Sequence, residues 1–153
     1  MKGTMQAAVF AAAFAAGCAP QAKNTPAPGG QMPQAIVTPY LEIQTALAKD
    51  SIEGVKGHAG EIATAASGFG APAVKIDMAA VQLAATTELP DARDRFGKLS
   101  EAIVDYMNGL HLTPPPGVRE AWCPMALEPW LQEGATLANP YYGSAMPTCG
   151  AFR

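Results

Sequence analysis

The chain of 153 residues carries little charge and has no cluster of basic residues. Charged residues make up 15% of the sequence, and the formal net charge is −3 at pH 7. Proteins bind nucleic acids and anionic lipid headgroups through patches of Lys and Arg. The scarcity of positive charge therefore argues against both kinds of ligand, and we predict that the protein does not bind nucleic acid.

The sequence also lacks the short motifs that mark common enzyme classes. It contains no nucleophile-elbow serine, no H-E-x-x-H pattern, no Walker phosphate loop and no C-x-x-C redox pair. The Cys and His spacings of structural zinc sites are missing as well. We therefore expect a binding protein rather than an enzyme.

No apolar run in the sequence is long enough to cross a membrane. The run Ala7–Ala16 has ten residues, whereas a transmembrane helix needs roughly 20. It follows the single positive charge of Lys2. This arrangement is typical of an export signal, and it predicts a signal peptide over residues 1–17.

Residues 15–18 read A-A-G-C, which resembles a bacterial lipobox. The pattern predicts lipidation of Cys18, and Ala19 in the next position favours anchoring to the outer membrane on its periplasmic side. Cleavage nearby without lipidation is the alternative. Residues 18–37 are rich in Pro, Gly and Gln, a composition that predicts a flexible tether between the membrane and the domain.

The remaining residues, 38–153, suffice for one domain with one core. Thr38 is a plausible N-cap with Pro39 at the first helical position. Apolar or small residues then recur every three or four positions and predict one helix that extends to Ala66. This pattern comprises Tyr40, Ile43, Leu47, Ser51, Val55, Ala59, Ile62 and Ala66.

Three glycines interrupt the first predicted helix, at positions 54, 57 and 60. Each one weakens a helix by about 1 kcal/mol relative to Ala. Either they allow another element to approach closely, or the helix is frayed or kinked at this point. Both interpretations remain open on the sequence alone.

Two further helices follow, and together the three predict a mainly α protein. Asp77 can cap the second helix, and the third has the clearest apolar stripe in the chain before the prolines at 114–116 end it. Short links favour a small up-and-down helical bundle. The expected faces are Met78, Val81, Ala85 and Leu89, and then Ala92, Phe96, Leu99, Ile103, Tyr106 and Leu110.

The last third of the chain contains two sulfur pairs, Cys123 with Met125 and Met146 with Cys149. Thiolate and thioether sulfur favour soft ions such as Cu(I) over ions that prefer oxygen ligands. A fold that brings the pairs together would offer two thiolates and up to two thioethers. Few helical signals occur here, so we expect an irregular, sulfur-rich segment packed on the bundle.

The same segment resembles a known family. The strings C-P-M-A at 123–126, W-L at 130–131 and N-P-Y-Y-G-S-A-M-P-T-C-G at 139–150 are similar to the DUF3347 domain. That domain occurs in bacterial envelope proteins and attached to periplasmic subunits of CusB-type copper and silver efflux systems. The resemblance implies a role in heavy-metal handling, with envelope efflux components as partners.

The resemblance extends more loosely toward the N-terminus, so it covers most of the predicted domain. It includes Y-L at 40–41, Asp50 and R-F-G-K-L-S at 95–100. Trp122, Trp130, Tyr141 and Tyr142 are expected to attach the sulfur-rich segment to the bundle. On these grounds residues 38–153 are interpreted as a DUF3347-like helical domain.

Several simpler roles compete with metal binding. An exported compartment is oxidising, so Cys123 and Cys149 could form a structural disulfide. Methionine fills core gaps more often than it binds metal, which applies to Met125 and Met146 taken singly. His111 lies where the third helix should end and His58 lies in the glycine-broken helix, so both have structural explanations that compete with metal ligation.

The leading hypothesis is an exported, membrane-tethered protein that binds Cu(I), or Ag(I), for sequestration or for transfer to an efflux partner. Cys123 and Cys149 would supply thiolates, and Met125 and Met146 would supply thioethers or lie close by. The alternative is a disulfide-stapled envelope domain that binds no metal and contacts a partner through the loop P-Y-Y-G at 140–143.

Overall fold

The computed structural model describes residues 25–153, so the predicted signal peptide and Cys18 lie outside it. The described chain is mainly helical with a small three-stranded sheet, which confirms the predicted fold class. None of the helices in this part of the chain could serve as a membrane span. The elements are α1 Gln34–Ala48, α2 Val55–Gly68, α3 Val74–Ala84, α4 Leu89–Leu110, β1 Val118–Cys123, β2 Glu128–Glu133 and β3 Ala151–Phe152.

The predicted stripe of the last helix forms the centre of the core. Helix α4 contacts both α3 and strand β2. Its buried side chains recur every three or four residues, as expected for one face of an amphipathic helix. The predicted residues that are buried are Ala92, Phe96, Leu99, Ile103 and Tyr106.

The first predicted helix is in fact two helices, α1 and α2. The helical conformation is interrupted between them, where Asp50 and Gly54 have positive φ angles of 59° and 75°. Glycine adopts this conformation without cost, and Asp tolerates it better than most residues. The apolar period nevertheless holds across the break, since Tyr40, Leu47 and Val55 are all buried.

The predicted start of the first helix, with Thr38 as N-cap, is wrong, because α1 begins at Gln34 and Pro39 lies inside it. Met32, which precedes this helix, is 1% exposed. The Met32 N–H donates a hydrogen bond of 2.9 Å to the carbonyl of Thr113, just after α4. The tether predicted over residues 18–37 therefore does not extend through residues 32–37, whose apolar side chains contribute to the core.

Helix α3 differs from its prediction in both start and face. It begins at Val74, and Asp77 lies in its first turn rather than at the cap. Met78 and Val81, which were expected to be buried, are 59% and 56% exposed. The buried face of α3 consists instead of Ile76, Ala79, Ala80 and Leu83.

The C-terminal segment, predicted to be irregular, contains an antiparallel sheet in the order β2-β1-β3. Trp130 of β2 is completely buried, and its ring meets that of Tyr141. The short strand β3 is held by two stacked cations, Arg119 over the Phe152 ring at 3.7 Å and Arg153 over the Trp122 ring at 4.2 Å. Prolines inside and beside these strands weakened the sequence signal for a sheet.

Aromatic side chains join the sheet segment to the bundle, as predicted for Trp130 and Tyr141. The Tyr40 ring of α1 stacks on Phe96 of α4 with centroids 4.9 Å apart. Tyr141 lies against Phe96 on one side and meets Trp130 edge to face on the other. The Leu131 N–H donates to the Tyr40 hydroxyl at 3.1 Å, so that a buried hydrogen bond also connects α1 to β2.

Candidate dithiol site

The sheet brings the two cysteines together. Cys123 is the last residue of β1, and Ala151 of β3 pairs antiparallel with Trp122. This register places the residues before Ala151 beside Cys123. Gly150 completes the approach, since a Cβ at this position would lie 2.6 Å from the Trp130 ring, and its φ is 142°. Cys149, directly before it, lies near Cys123, because the Asn139 amide nitrogen contacts both residues.

Cys123 is buried, with 0% of its surface exposed, yet its sulfur is not in apolar surroundings alone. The backbone N–H of Ala126, in the turn that follows β1, points at the sulfur with a nitrogen–sulfur distance of 3.4 Å. The side-chain amide of Asn139 donates to the same sulfur at 3.2 Å. These two N–H donors fix the position of the sulfur within the core.

Asn139 is fully buried and holds both halves of the site. Its amide nitrogen donates to the Cys123 sulfur and also to the carbonyl of Cys149, at 2.6 Å. Its amide oxygen accepts the backbone N–H groups of Tyr141 at 2.8 Å and Tyr142 at 3.2 Å. All the hydrogen-bonding groups of this side chain are therefore used to fix the turn and the two cysteines.

Cys149 has a different environment from its neighbour. It is half-buried, whereas Cys123 is fully buried. Burial raises the pKa of the Cys149 thiol above its ordinary value, and the charge of Cys123 and a hydrogen bond to the Cys123 side chain raise it further. The two cysteines are neighbours through Asn139, whose amide nitrogen reaches the Cys123 sulfur and the Cys149 carbonyl.

The structure does not gather all four predicted sulfur ligands equally. Met125 lies in the turn between β1 and β2 and is 62% exposed. Met146 is half-buried in the loop before Cys149, and its carbonyl accepts the Cys149 N–H at 3.2 Å. The two cysteines thus form the centre of the candidate site, while the methionines lie on the two segments that carry them.

A salt bridge that the sequence did not reveal holds the loop before Cys149. Arg93 of α4 donates to Asp50 at 2.5 Å and to the Pro140 carbonyl at 3.0 Å. Asp50 in turn accepts the Ser144 N–H at 3.2 Å. Gly143 lies directly on this pair, where no side chain would fit, with φ at 52°. The clamp lowers the pKa of Asp50, first through the Ser144 hydrogen bond and then through Arg93.

The histidines are not brought to the dithiol site. His111 is exposed and caps the end of α4 with a φ of 54°, as its position in the sequence suggested. His58 lies in α2, where its ring nitrogen is 3.5 Å from Glu61. Within residues 25–153, no three side chains among His, Cys, Asp and Glu converge as a metal-binding group.

Asn139 contacts both cysteines but was not predicted from the sequence to belong to the site. Its signal was the dipeptide Asn-Pro at 139–140, which is typical of a turn. A turn asparagine is usually exposed, so the pattern alone gave no reason to place its amide against a sulfur. The contact joins residues 16 positions apart and depends on how the loop folds back on β1.

Comparisons of the chain with family models, with curated proteins and with solved structures return no match. The chemistry of the site therefore follows from the side chains described above. Those side chains provide two adjacent thiols, one enclosed and one near the surface, with N–H donors directed at the enclosed one.

Proposed function

We propose that this protein is an exported soft-metal binding protein that takes up Cu(I), or Ag(I), and sequesters it or passes it to efflux components of the cell envelope. The observation that carries the proposal is the dithiol itself. Cys123 and Cys149 are neighbours in space although 25 residues separate them in sequence, since one Asn139 amide nitrogen contacts both of them. Two thiolates suit a soft monovalent ion, whereas Mg²⁺ and Ca²⁺ prefer oxygen ligands.

The surroundings of Cys123 favour this cargo. A buried thiolate is unstable without compensation, and the N–H groups of Ala126 and Asn139 provide it. Zn²⁺ in structural sites takes four N or S ligands, and the two thiols here are not joined by His or carboxylate ligands within the described part of the chain. The donor set therefore favours an ion that accepts few ligands.

The test is a competition experiment on reduced protein with a chromophoric Cu(I) chelator, repeated with a zinc indicator. We expect Cu(I) to be held far more tightly than Zn²⁺. The double variant Cys123→Ser, Cys149→Ser should lose Cu(I) binding and serves as the matched control. Equal or tighter retention of zinc by the reduced protein would contradict the copper assignment.

Met125 and Met146 are proposed as thioether ligands or close neighbours of the ion. Met125→Leu and Met146→Leu keep approximate side-chain volume and typically cost less than about 1.5 kcal/mol. We expect Cu(I) affinity to fall in at least one of them while the melting temperature stays nearly constant. Met78→Leu, on the exposed face of α3, is the control. Unchanged affinity in both variants would limit the site to the two cysteines.

A disulfide-stapled domain is the second candidate, because the same two cysteines lie together around Asn139. The loop P-Y-Y-G at 140–143, which the sequence suggested as the surface that contacts a partner, is less suitable. Pro140, Tyr141 and Gly143 are buried, and the Arg93 clamp holds the loop inward. A thiol count and metal analysis on protein purified anaerobically from its native compartment separate the two candidates.

The location of the protein forms part of the proposal. Export through residues 1–17 and lipidation of Cys18 would tether the domain to the outer membrane and place the dithiol in the periplasm. The supporting evidence is the apolar run and the A-A-G-C string at 15–18. Fractionation of cells that express the wild type and Cys18→Ser tests it, since only the wild type should remain with the membranes.

A further inference from the structure

The two cysteines of the dithiol site differ in how far solvent and other molecules can reach them. Cys123 is 0% exposed and is enclosed by the turn after β1 and by Asn139. Cys149 is half-buried, and its neighbours Pro147 and Thr148 are exposed. An external ligand could therefore approach a bound ion from the Cys149 side without displacing the core.

Asn139 fixes the backbone on the accessible side. Its own N–H donates to the Pro147 carbonyl at 2.8 Å, and its amide donates to the Cys149 carbonyl at 2.6 Å. The backbone before and at Cys149 is thus held by hydrogen bonds. No hydrogen bond to the Cys149 sulfur comes from Asn139 or from the Ala126 N–H, which both donate to Cys123.

We propose that the dithiol is an asymmetric transfer site, in which Cys123 retains the metal ion and Cys149 is the ligand exchanged for a sulfur of the receiving molecule. The inference rests on the proposed function. A thiolate or thioether of the acceptor bonds to Cu(I), the bond from Cu(I) to Cys149 breaks, and the Cys149 thiolate takes a proton from solvent. The oxidation state of copper does not change.

A chemical rescue experiment tests the asymmetry. It uses the full mature chain carrying Cys18→Ser, which removes the third thiol, and compares Cys149→Ser with Cys123→Ser under reducing, anaerobic conditions. Cu(I) affinity is measured against a chelator while the concentration of 2-mercaptoethanol is raised. Because the monothiol competes for Cu(I) equally in every sample, the measured quantity is the affinity of each variant relative to its parent.

We expect rescue of Cys149→Ser only. The added thiol takes the position that the Cys149 sulfur has left. At millimolar concentration the thiol rivals a tethered ligand in effective concentration, so the difference in Cu(I) affinity between the variant and its parent should shrink by about tenfold. Cys123→Ser should show no such recovery, because its position is enclosed. Rescue of both variants, of neither, or of Cys123→Ser alone would overturn the proposal.

A second measurement needs no variant at either ligand, in case Cys123→Ser does not fold. The Cu(I)-loaded parent is treated with iodoacetamide and a limiting amount of the monothiol, and modification is located by mass spectrometry. Cys149 should be alkylated first while copper stays bound. The proposal would be contradicted if Cys123 were modified first, or if copper were lost in step with the modification of Cys149. If the parent holds Cu(I) no better than the double cysteine variant, the proposed function fails and this inference fails with it.

Discussion

At the residue scale, Asn139 is the side chain on which the geometry of the candidate site depends most. It is fully buried, and a buried amide is tolerated only when its donors and acceptors are satisfied. Here they are satisfied by the Cys123 sulfur, the Cys149 carbonyl and two N–H groups of the following turn. The same residue therefore helps to maintain the fold and contacts both cysteines of the candidate site.

Asn139→Ala should lower the free energy of unfolding by about 3 kcal/mol or more, because each buried polar group left unpaired costs about 1–3 kcal/mol. Urea unfolding of the reduced protein measures the change. Asn108→Ala, on the exposed side of α4, is the control and should stay within about 0.5 kcal/mol of the wild type. A similar small effect at Asn139 would show that its hydrogen bonds are replaced by water.

At the element scale, the glycines of α2 and α4 have opposite roles. A Cβ at Gly57 or Gly60 would meet nothing within 4 Å. No other element of the described chain therefore packs closely against α2 at these two glycines. A Cβ at Gly97 in α4 would lie 3.1 Å from the Glu128 side chain, which Lys98 holds at 2.8 Å. Gly97 thus allows β2 to pack on the helix.

The two kinds of glycine predict changes of opposite sign. Gly60→Ala should raise the free energy of unfolding by about 0.5–1 kcal/mol, because it removes the entropic cost of glycine in a helix. Gly97→Ala, the matched comparison in α4, should lower it by about 1 kcal/mol through the crowded Glu128 side chain. Thermal or urea unfolding of both variants provides the check. A stability gain at both sites would show that β2 can move away from α4.

The clamp between α1, α4 and the C-terminal loop should make stability depend on acidity. The lowered pKa of Asp50 means that its carboxylate stabilises the folded state above the unfolded pKa, about 3.9, and that this contribution is lost as pH falls through the folded value. Asp50→Asn tolerates the same backbone conformation but lacks the charge.

The difference in unfolding free energy between wild type and Asp50→Asn should therefore be largest near neutral pH and shrink below about pH 4. Urea titrations at several pH values measure it. Glu53→Gln, an exposed residue of the same loop, controls for the loss of one negative charge. A difference that is constant from pH 7 to pH 3 would contradict the role of the ionised clamp.

Sequence periodicity predicted the elements that bury one regular face and failed where long-range pairing decides. The stripe from Ala92 to Tyr106 lies in the core as expected. The glycines left a kinked helix open as one interpretation, but the position of the break at Asp50 was not predicted, since Asp50 contacts Arg93, 43 residues away in the sequence. The sheet was missed for a similar reason, since β3 has two residues and exists only through its pairing with β1.

The candidate site was predictable in part for the same physical reasons. The density of sulfur marked Cys123 and Cys149, and the structure brings both together. The exposed fraction differs strongly among the four sulfur-containing residues, from 0% for Cys123 to 62% for Met125. Nothing in the local sequence around a turn fixes which side chains point inward, so the unequal roles of cysteines and methionines required the fold.

At the scale of the whole molecule, two parts must stay together: the four-helix bundle and the C-terminal segment that carries Cys123 and Cys149. Aromatic packing of Tyr141 between Phe96 and Trp130 holds them at the centre. At the chain end, β3 contributes only two residues of pairing. A link between Cys123 and Cys149, whether through a metal ion or a disulfide, would therefore fasten the least supported part of the segment.

The two kinds of link predict different orders of thermal stability. A metal that binds only the folded state adds about 4 kcal/mol at a thousandfold excess over Kd, and it does so only when the thiols are reduced. A disulfide closing the 25-residue interval adds about 3–4 kcal/mol in the chain-entropy model without any metal. Unfolding is compared for reduced protein, reduced protein with Cu(I), oxidised protein and the double variant Cys123→Ser, Cys149→Ser.

We expect Cu(I) to raise the melting temperature of the reduced protein and to leave the double variant unchanged, because the ion binds through both thiolates. Copper should also add nothing to the oxidised protein, since oxidation removes the thiolates that a soft ion requires. If the reduced protein is indifferent to Cu(I) and only oxidation stabilises it, the disulfide is the link, and the protein is an envelope domain stapled by Cys123 and Cys149 rather than a metal carrier.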